Sequence, residues 1–314
     1  MIIYRQSNNV QYSLILYAAD RTKLAIARPR SPSSYGIFAY DGNLMGGALI
    51  GLGMAFTGAC PGTALIQATV GLESGMLVTL GGLFGGIAFS VLQPMLSAKE
   101  EPSATSQTRN NTTTDEPTSA PEQSKFPTLA TALGVDPALV LTLWIPFCLM
   151  ILYLAVSSDP SLRSIGNAGL LIAPVYSGIT IGLAQAASML LNGHAIGVSG
   201  AYADVGSWAA QILPKRSAQA KTLVTPAVTF AVGMMIGAAA LIRVTFPGGV
   251  VGESADLSVL RALGGGFAMI FGARLAGGCT SGHAITGMAT FSIASFVTAG
   301  AMFAAGIAGA AAAA

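Results

Sequence analysis

The chain has 314 residues, of which 53% are apolar and only 9% charged, and its formal net charge is +2. Soluble domains carry about a quarter charged residues, so this composition excludes an ordinary water-soluble fold, and so small a net charge gives no ground for a nucleic-acid partner. Several uncharged runs approach the roughly 20 residues needed to cross a bilayer, which points to an all-α polytopic membrane protein embedded in lipid. The three cysteines, Cys60, Cys148 and Cys279, are too few for a disulfide framework, and no Cys/His cluster has metal-ligand spacing. No cofactor or metal is expected.

Residues 1–35 read as a polar N-terminal segment with Arg5, Arg21, Lys23, Arg28 and Arg30. Its apolar patch, Val10–Ala19, is short for a signal core. Residues 36–98 form a first membrane unit, with spans expected at Gly42–Thr57 and Gly75–Leu96. Residues 99–130 hold a linker, "KEEPSATSQTRNNTTTDEPTSAPEQSK" from Lys99 to Lys125, whose polar, aperiodic composition predicts disorder outside the membrane. Asn110 and Asn111 open two formal glycosylation sequons there, which matter only on a lumenal face. Residues 131–314 form a second unit, with spans expected at Ala138–Val156, Ala168–Leu191, Thr222–Arg243, Leu260–Ala276 and Phe291–Ala312. The basic N-terminal region and the Lys215, Arg216, Lys221 loop are both candidates for the cytoplasmic side.

Two of these spans run directly into a cysteine set among glycines, and a short apolar stretch follows each, so two further half-spans are expected. Glycines recur four apart at Gly42/Gly46, Gly47/Gly51, Gly81/Gly85 and Gly82/Gly86. Such spacing lets helix backbones approach closely in lipid. The cysteine motifs also align with each other at the offset of 219 positions that separates Cys60 from Cys279. Gly46, Gly47, Gly53 and Gly58 then fall on Gly265, Gly266, Gly272 and Gly277, while Gly81 and Phe84 fall on Gly300 and Phe303. A duplicated membrane unit is a common transporter architecture, with the site where the repeats meet. The segment "NGHAIGVSG" (Asn192–Gly200) has no counterpart at that offset, so the first unit reads as clipped at its N-terminus.

In "GACPG" (Gly58–Gly62), Pro61 cannot continue the incoming helix but suits the first position of a new one. Gly58 and Gly62 permit the dihedrals of a break. Cys60 is then expected at the N-cap, among unpaired N–H groups and the positive end of a helix dipole, a setting that favours an anion. "GGCTSGH" (Gly277–His283) repeats the logic without proline, with Thr280 or Ser281 as the expected cap and with Cys279 and His283 one helical turn apart. Such breaks are tolerated within a membrane only where protein covers them or a polar cavity lies beside them. A thiol is a weak donor with a soft sulfur, better matched to a sulfur-containing anion than to hard phosphate. Arg274, five residues before Cys279 in an apolar segment, is expensive to bury; it either draws an anion inward or pairs within the protein. Thr57, Gln67 and Gln185 are expected to bridge helices.

Three stretches carry a family resemblance: "GGALIGLGMAFTGACPG" (Gly46–Gly62), "NGHAIGVSG" (Asn192–Gly200) and "RLAGGCTSGHAITG" (Arg274–Gly287). They resemble the YeeE/YedE family of membrane proteins, and the linker-bearing form resembles fungal members. The resemblance implies an hourglass of helices around cysteine-bearing loops, through which thiosulfate passes between thiols. By motif match Cys60 and Cys279 inherit that role. Members can use a third cysteine nearer the N-terminus; none stands there in this chain. Some members deliver sulfur to a small cytosolic carrier, which makes such a carrier a candidate partner.

The expected function is therefore a multi-pass membrane transporter or channel for thiosulfate or a related sulfur anion. The candidate substrate-binding set is Cys60, Pro61 and Gly62 in the first break, Cys279, Thr280, Ser281, Gly282 and His283 in the second, and Arg274. Two alternatives stand beside it. One is a membrane sulfur transferase or thiol enzyme with Cys279 as nucleophile and His283 as base. The other is a vestigial structural membrane protein.

Overall fold

A computed structural model describes residues 29–97, 128–158, 180–185, 187–188, 197–211, 225–245 and 257–313. The linker Lys99–Lys125, the basic loop around Lys215 and most of the span expected at Ala168–Leu191 lie outside the described residues. The named helices are α1 (Asp41–Thr57), α2 (Pro61–Val70), α3 (Glu73–Ser97), the short α4 (Leu129–Leu133), α5 (Pro137–Ser158), α6 (Ser199–Gln211), α7 (Pro226–Thr245), α8 (Val259–Leu275) and α9 (Ile293–Ala313). A π-helical turn, Ser281–Gly287, stands between α8 and α9. Among the described residues there is no strand longer than an isolated bridge between Thr128 and Ser292.

Among the described residues, four stretches are long and apolar enough to cross a bilayer: Asp41–Val70, Glu73–Gln93, Pro226–Val244 and Ile293–Ala312. The first contains α1, the GACPG break and α2. A short helical element follows each cysteine, α2 after Cys60 and the π turn after Cys279. The molecule is thus an all-α polytopic membrane protein.

The centre is built by α1, α3, α8 and α9, and glycine decides how closely they meet. On α1 and α8, a Cβ added to Gly53 would stand 2.6 Å from the Gly265 carbonyl oxygen, and one added to Gly272 would stand 2.6 Å from that of Gly46. The two helices run antiparallel at near backbone contact, which only a missing side chain allows. Gly47 and Gly51 of α1 meet Thr298 and Met302 of α9 in parallel, and Gly81 and Gly85 of α3 meet Leu263 and Phe267 of α8 in parallel. The 219-residue offset pairs α1 with α8 and α3 with α9. In the structure α1 packs on α9 and α3 on α8, and the α1–α8 contact sets Gly46 against Gly272 and Gly53 against Gly265.

Ile50, Val78, Met269, Ala273 and Met302 fill the core between these helices. A second cluster joins α2, α6, α7 and α8 through Leu65, Val198, Tyr202, Ala231 and Ile270. Glycine again sets the approach of α6: Gly82 lies against the Tyr202 ring and Gly86 against the Tyr202 carbonyl. This seats Tyr202, 3% exposed, at the level of the first break.

Residues 29–40 are tied down over the far end of α8. The Ser33 hydroxyl donates to the Leu275 carbonyl (2.6 Å). Buried Asn43 accepts from the Ser33 N–H (2.7 Å) and donates to Thr298 Oγ1 (2.8 Å) and to the Ala276 carbonyl (3.3 Å). Buried Asp41 accepts from the N–H groups of Tyr35, Ile37 and Gly42, which folds the segment back on itself. A buried carboxylate persists where backbone donors replace its water, and three do so here.

Candidate functional site

The first break forms as its residues dictate. Gly58 takes a left-handed conformation (φ 65°) and closes α1, and Pro61 opens α2. Cys60 is the N-cap in extended geometry, and with Thr63 it makes a reciprocal box. The Cys60 N–H donates to Thr63 Oγ1 (2.6 Å), and the Thr63 N–H donates to the Cys60 sulfur (3.4 Å). Thr63 Oγ1 also lies 3.3 Å from that sulfur. Cysteine thus stands where serine or threonine usually caps, its sulfur accepting and its S–H pointing elsewhere. Cys60 is partly exposed. Thr57, expected to bridge helices, bonds the break itself: its hydroxyl reaches the carbonyls of Gly53 (2.8 Å) and Ala59 (3.2 Å).

The second break differs in build. Gly277 takes the left-handed conformation (φ 74°), and the chain restarts at Cys279, whose carbonyl accepts from the His283 N–H (2.9 Å). No hydroxyl caps this restart. Thr280 is already helical in backbone and turns its hydroxyl onto the sulfurs of Met54 (3.3 Å) and Met302 (3.4 Å) in the core. Ser281 sits beyond the capping position and lies 3.2 Å from the Cys279 sulfur. The cap expected from Thr280 or Ser281 is replaced by tertiary contacts. The π geometry widens the turn, a feature frequent where a helix carries function.

Cys279 is 2% exposed. Its sulfur lies 3.2 Å from the Ser281 hydroxyl, and the hydroxyl and backbone of Ser199 and the backbone of Gly282 stand within its electrostatic reach. Ser199 is the first residue of α6, so the open N-terminus of that helix lies by this sulfur. His283 stands one turn on, but its ring is held away from the thiol. Nε2 lies 2.9 Å from the Ala276 carbonyl oxygen, which can only accept, so Nε2 carries the proton; Nδ1 then accepts from the Ser295 hydroxyl at 3.0 Å.

Arg274, in the last turn of α8, lies 5.6 Å from the centre of the Phe89 ring and within electrostatic reach of Asp204, Tyr35 and Cys279. Asp204 in turn accepts from the Thr225 hydroxyl (2.6 Å). Arg274 is thus a half-buried positive charge in the neighbourhood of the second thiol. Cys148 is buried on α5, outside the contacts described above.

The two breaks meet at the start of α6. The Tyr202 hydroxyl donates to the Pro61 carbonyl (3.2 Å) and lies within electrostatic reach of both Cys60 and Cys279. Val198 faces Gly62, where an added Cβ would come 3.8 Å from it, while the neighbouring Ser199 stands near Cys279. Gly197–Gly200 is the end of the NGHAIGVSG motif, so all three motifs converge; His194 in that motif lies outside the described residues.

Four contributors were not singled out from sequence: Thr63, Ser199, Tyr202 and Arg30. Thr63 follows Cys60 at capping-box spacing, a signal obscured by cysteine in the cap position. Ser199 lay inside a quoted motif. The stripe Gly82/Gly86 signalled a close approach at Tyr202 without naming the residue approaching. Arg30, between Pro29 and Pro32, donates from Nε to the Gly282 carbonyl (2.9 Å) and from Nη1 to the Gly277 carbonyl (2.8 Å).

No curated protein matches the chain. A family model described as sulphur transport matches residues 10–308, nearly its whole length. With apolar spanning helices and cysteine breaks converging on α6, the chain belongs to this sulphur transport family, that of YeeE and YedE.

Proposed function

We propose that the protein passes thiosulfate, or a closely related soft sulfur anion, between Cys60 and Cys279 along the face of α6. The observation that carries this reading is the placement of two free thiols at two backbone breaks that share one set of neighbours, Pro61, Val198, Ser199 and Tyr202. Breaks within a membrane protein need polar surroundings, and a shared polar seam is what a permeating anion requires. The Cys60 sulfur accepts from Thr63, which leaves its S–H for an anion. Around Cys279, the N-terminus of α6 and the positive charge of Arg274 offset the burial of a negative ion.

The reciprocal glycine contacts support a second part of the reading: the two units are an inverted repeat, and the thiols lie at their junction. Antiparallel α1 and α8 exchange equivalent residues, and equivalent helices make equivalent partners.

The enzyme alternative finds no support in this geometry. A base needs an available nitrogen near the nucleophile, and both nitrogens of His283 are bound to Ser295 and Ala276.

The test is radiolabelled thiosulfate uptake into vesicles holding the full chain, with Cys60→Ala and Cys279→Ala measured separately. Each substitution is expected to reduce uptake by about 100-fold or more, as losing a polar contact at a constriction would. Uptake at the unaltered rate in both variants would remove the thiol relay. A stable persulfide adduct on Cys279, seen by intact mass after exposure to thiosulfate, would instead favour the transferase.

A further inference from the structure

We infer that Arg30 is a positioning residue of the Cys279 loop and the positive charge that first meets the anion on that side; the inference rests on the sulfur-anion reading above. The argument begins with the loop's own dipoles. A chain turning back through Gly277–Gly282 presents carbonyl oxygens to the same side, and those oxygens repel an arriving anion. The Arg30 guanidinium takes two of them, Gly277 at 2.8 Å and Gly282 at 2.9 Å. Gly282 is also the residue whose backbone faces the Cys279 sulfur. N–H and C=O of one residue point in roughly opposite directions in a helical turn, so holding the carbonyl outward directs the N–H inward to the thiol.

The loop is shaped for this side chain. A Cβ on Gly278 would lie 2.6 Å from Arg30 Nη1, and one on Gly282 would lie 2.6 Å from Nη2. Two of the glycines in "GGCTSG" are thus the floor on which the guanidinium lies flat. The backbone of residue 30 is fixed independently: Ser292 donates its hydroxyl to the Arg30 carbonyl (2.9 Å), and Ser33 and Asn43 anchor the following turn to α8 and α9. The Nη1 bond to Gly277 is exposed and the Nε bond to Gly282 partly buried, so the charge stands at the surface of the loop rather than in the core. A guanidinium pairs well with the planar or tetrahedral oxygens of a sulfur oxyanion, and its attraction adds to the recruitment of anions from solution. Arg30 and Arg274 then place positive charge outside and inside Cys279.

The experiment is initial-rate thiosulfate uptake by the full chain in vesicles. For Arg30→Gln the apparent KM is expected to rise about tenfold, the loss of one charge-assisted contact, with the maximal rate within about twofold. Arg30→Lys, which restores charge, should keep KM within about threefold of the unaltered protein. A role limited to holding the loop together would lower the maximal rate at unchanged KM, and that result, or an unchanged KM in Arg30→Gln, overturns the proposal. A second measurement needs no uptake. In a chain carrying Cys60→Ser and Cys148→Ser, with and without Arg30→Gln, Cys279 is modified with an anionic sulfonatoethyl and a cationic trimethylammonioethyl thiosulfonate reagent. The anionic reagent is expected to react faster, and that preference to shrink in Arg30→Gln; a preference unchanged by Arg30→Gln, equal rates, faster cationic modification, or no reaction at Cys279 with either reagent overturns the proposal. Loss of uptake in the unaltered chain with a preserved anionic preference would sink the transport reading and leave the role of Arg30 standing.

Discussion

The two cysteine breaks do the same thing by different means. At Cys60 the break is written locally: a left-handed glycine stops one helix, a proline starts the next, and Cys60 and Thr63 cap each other within four residues. At Cys279 the left-handed glycine, the Ser281 hydroxyl beside the sulfur and the His283 ring on the Ala276 carbonyl are local, and further partners come from afar: Arg30 on two carbonyls, Ser199 near the sulfur and Asn43 on the Ala276 carbonyl. The first is partly exposed and self-sufficient, and the second is buried and assembled by the fold. Local breaks tolerate change in their surroundings; assembled ones fail when any distant partner is altered.

The sharpest way to break that contrast is at His283. Replacing it with Phe keeps an aromatic ring of similar bulk but strands the Ser295 hydroxyl and removes one of the two donors to the Ala276 carbonyl, which keeps Asn43, in a site that is 1% exposed. The expected loss is about 2–4 kcal/mol of stability, one to three for the stranded hydroxyl and about one for the lost bond to the carbonyl. Denaturation of the purified protein in mixed detergent measures it. His283→Phe that unfolds normally but transports nothing would mean that the imidazole acts on substrate rather than on the loop.

A paired substitution sharpens the comparison next. Gly62 and Gly282 each stand near the start of the segment that follows their cysteine, but an added Cβ meets nothing closer than 3.8 Å at Gly62 and meets Arg30 at 2.6 Å at Gly282. Gly62→Ala is expected to be neutral within about 0.5 kcal/mol. Gly282→Ala should cost about 1–3 kcal/mol, because the guanidinium must leave its seat or the turn must shift. If combining Gly282→Ala with Arg30→Ala recovers part of that loss, the collision with Arg30 is its source; no recovery would place the source elsewhere.

The same contrast explains how far the sequence could be read. Helix limits came within a few residues for α1, α3, α5, α7, α8 and α9, because long apolar runs with glycine or proline at their ends leave few alternatives. Cys60 was placed at its N-cap from Pro61 and Gly58 alone. At Cys279 the sequence is ambiguous: Thr280 and Ser281 have the chemistry of a cap, and only the neighbouring helices reveal that Met54 and Met302 claim one hydroxyl while the other faces the thiol. Arg30 could not be assigned from sequence. Its partners lie some 250 positions away and are backbone carbonyls, which leave no mark in residue type.

The smallest expected effect tests the claim that the first break is local. Thr63→Val preserves shape and removes the hydroxyl that accepts from the Cys60 N–H and lies beside its sulfur. Loss of one side of a capping box costs about 1 kcal/mol, and Thr63→Ser should restore it. Because Thr63 is exposed and its bonds stay within residues 60–63, the change should not alter the packing of α6 or the environment of Cys279. The reaction rate of Cys279 with a thiol reagent is therefore expected to be unchanged, while that of Cys60 shifts as its sulfur loses a neighbour that fixed its orientation. A shift at Cys279 of similar size would mean that the two breaks are mechanically joined through Pro61 and Tyr202, and that the first is no more self-contained than the second.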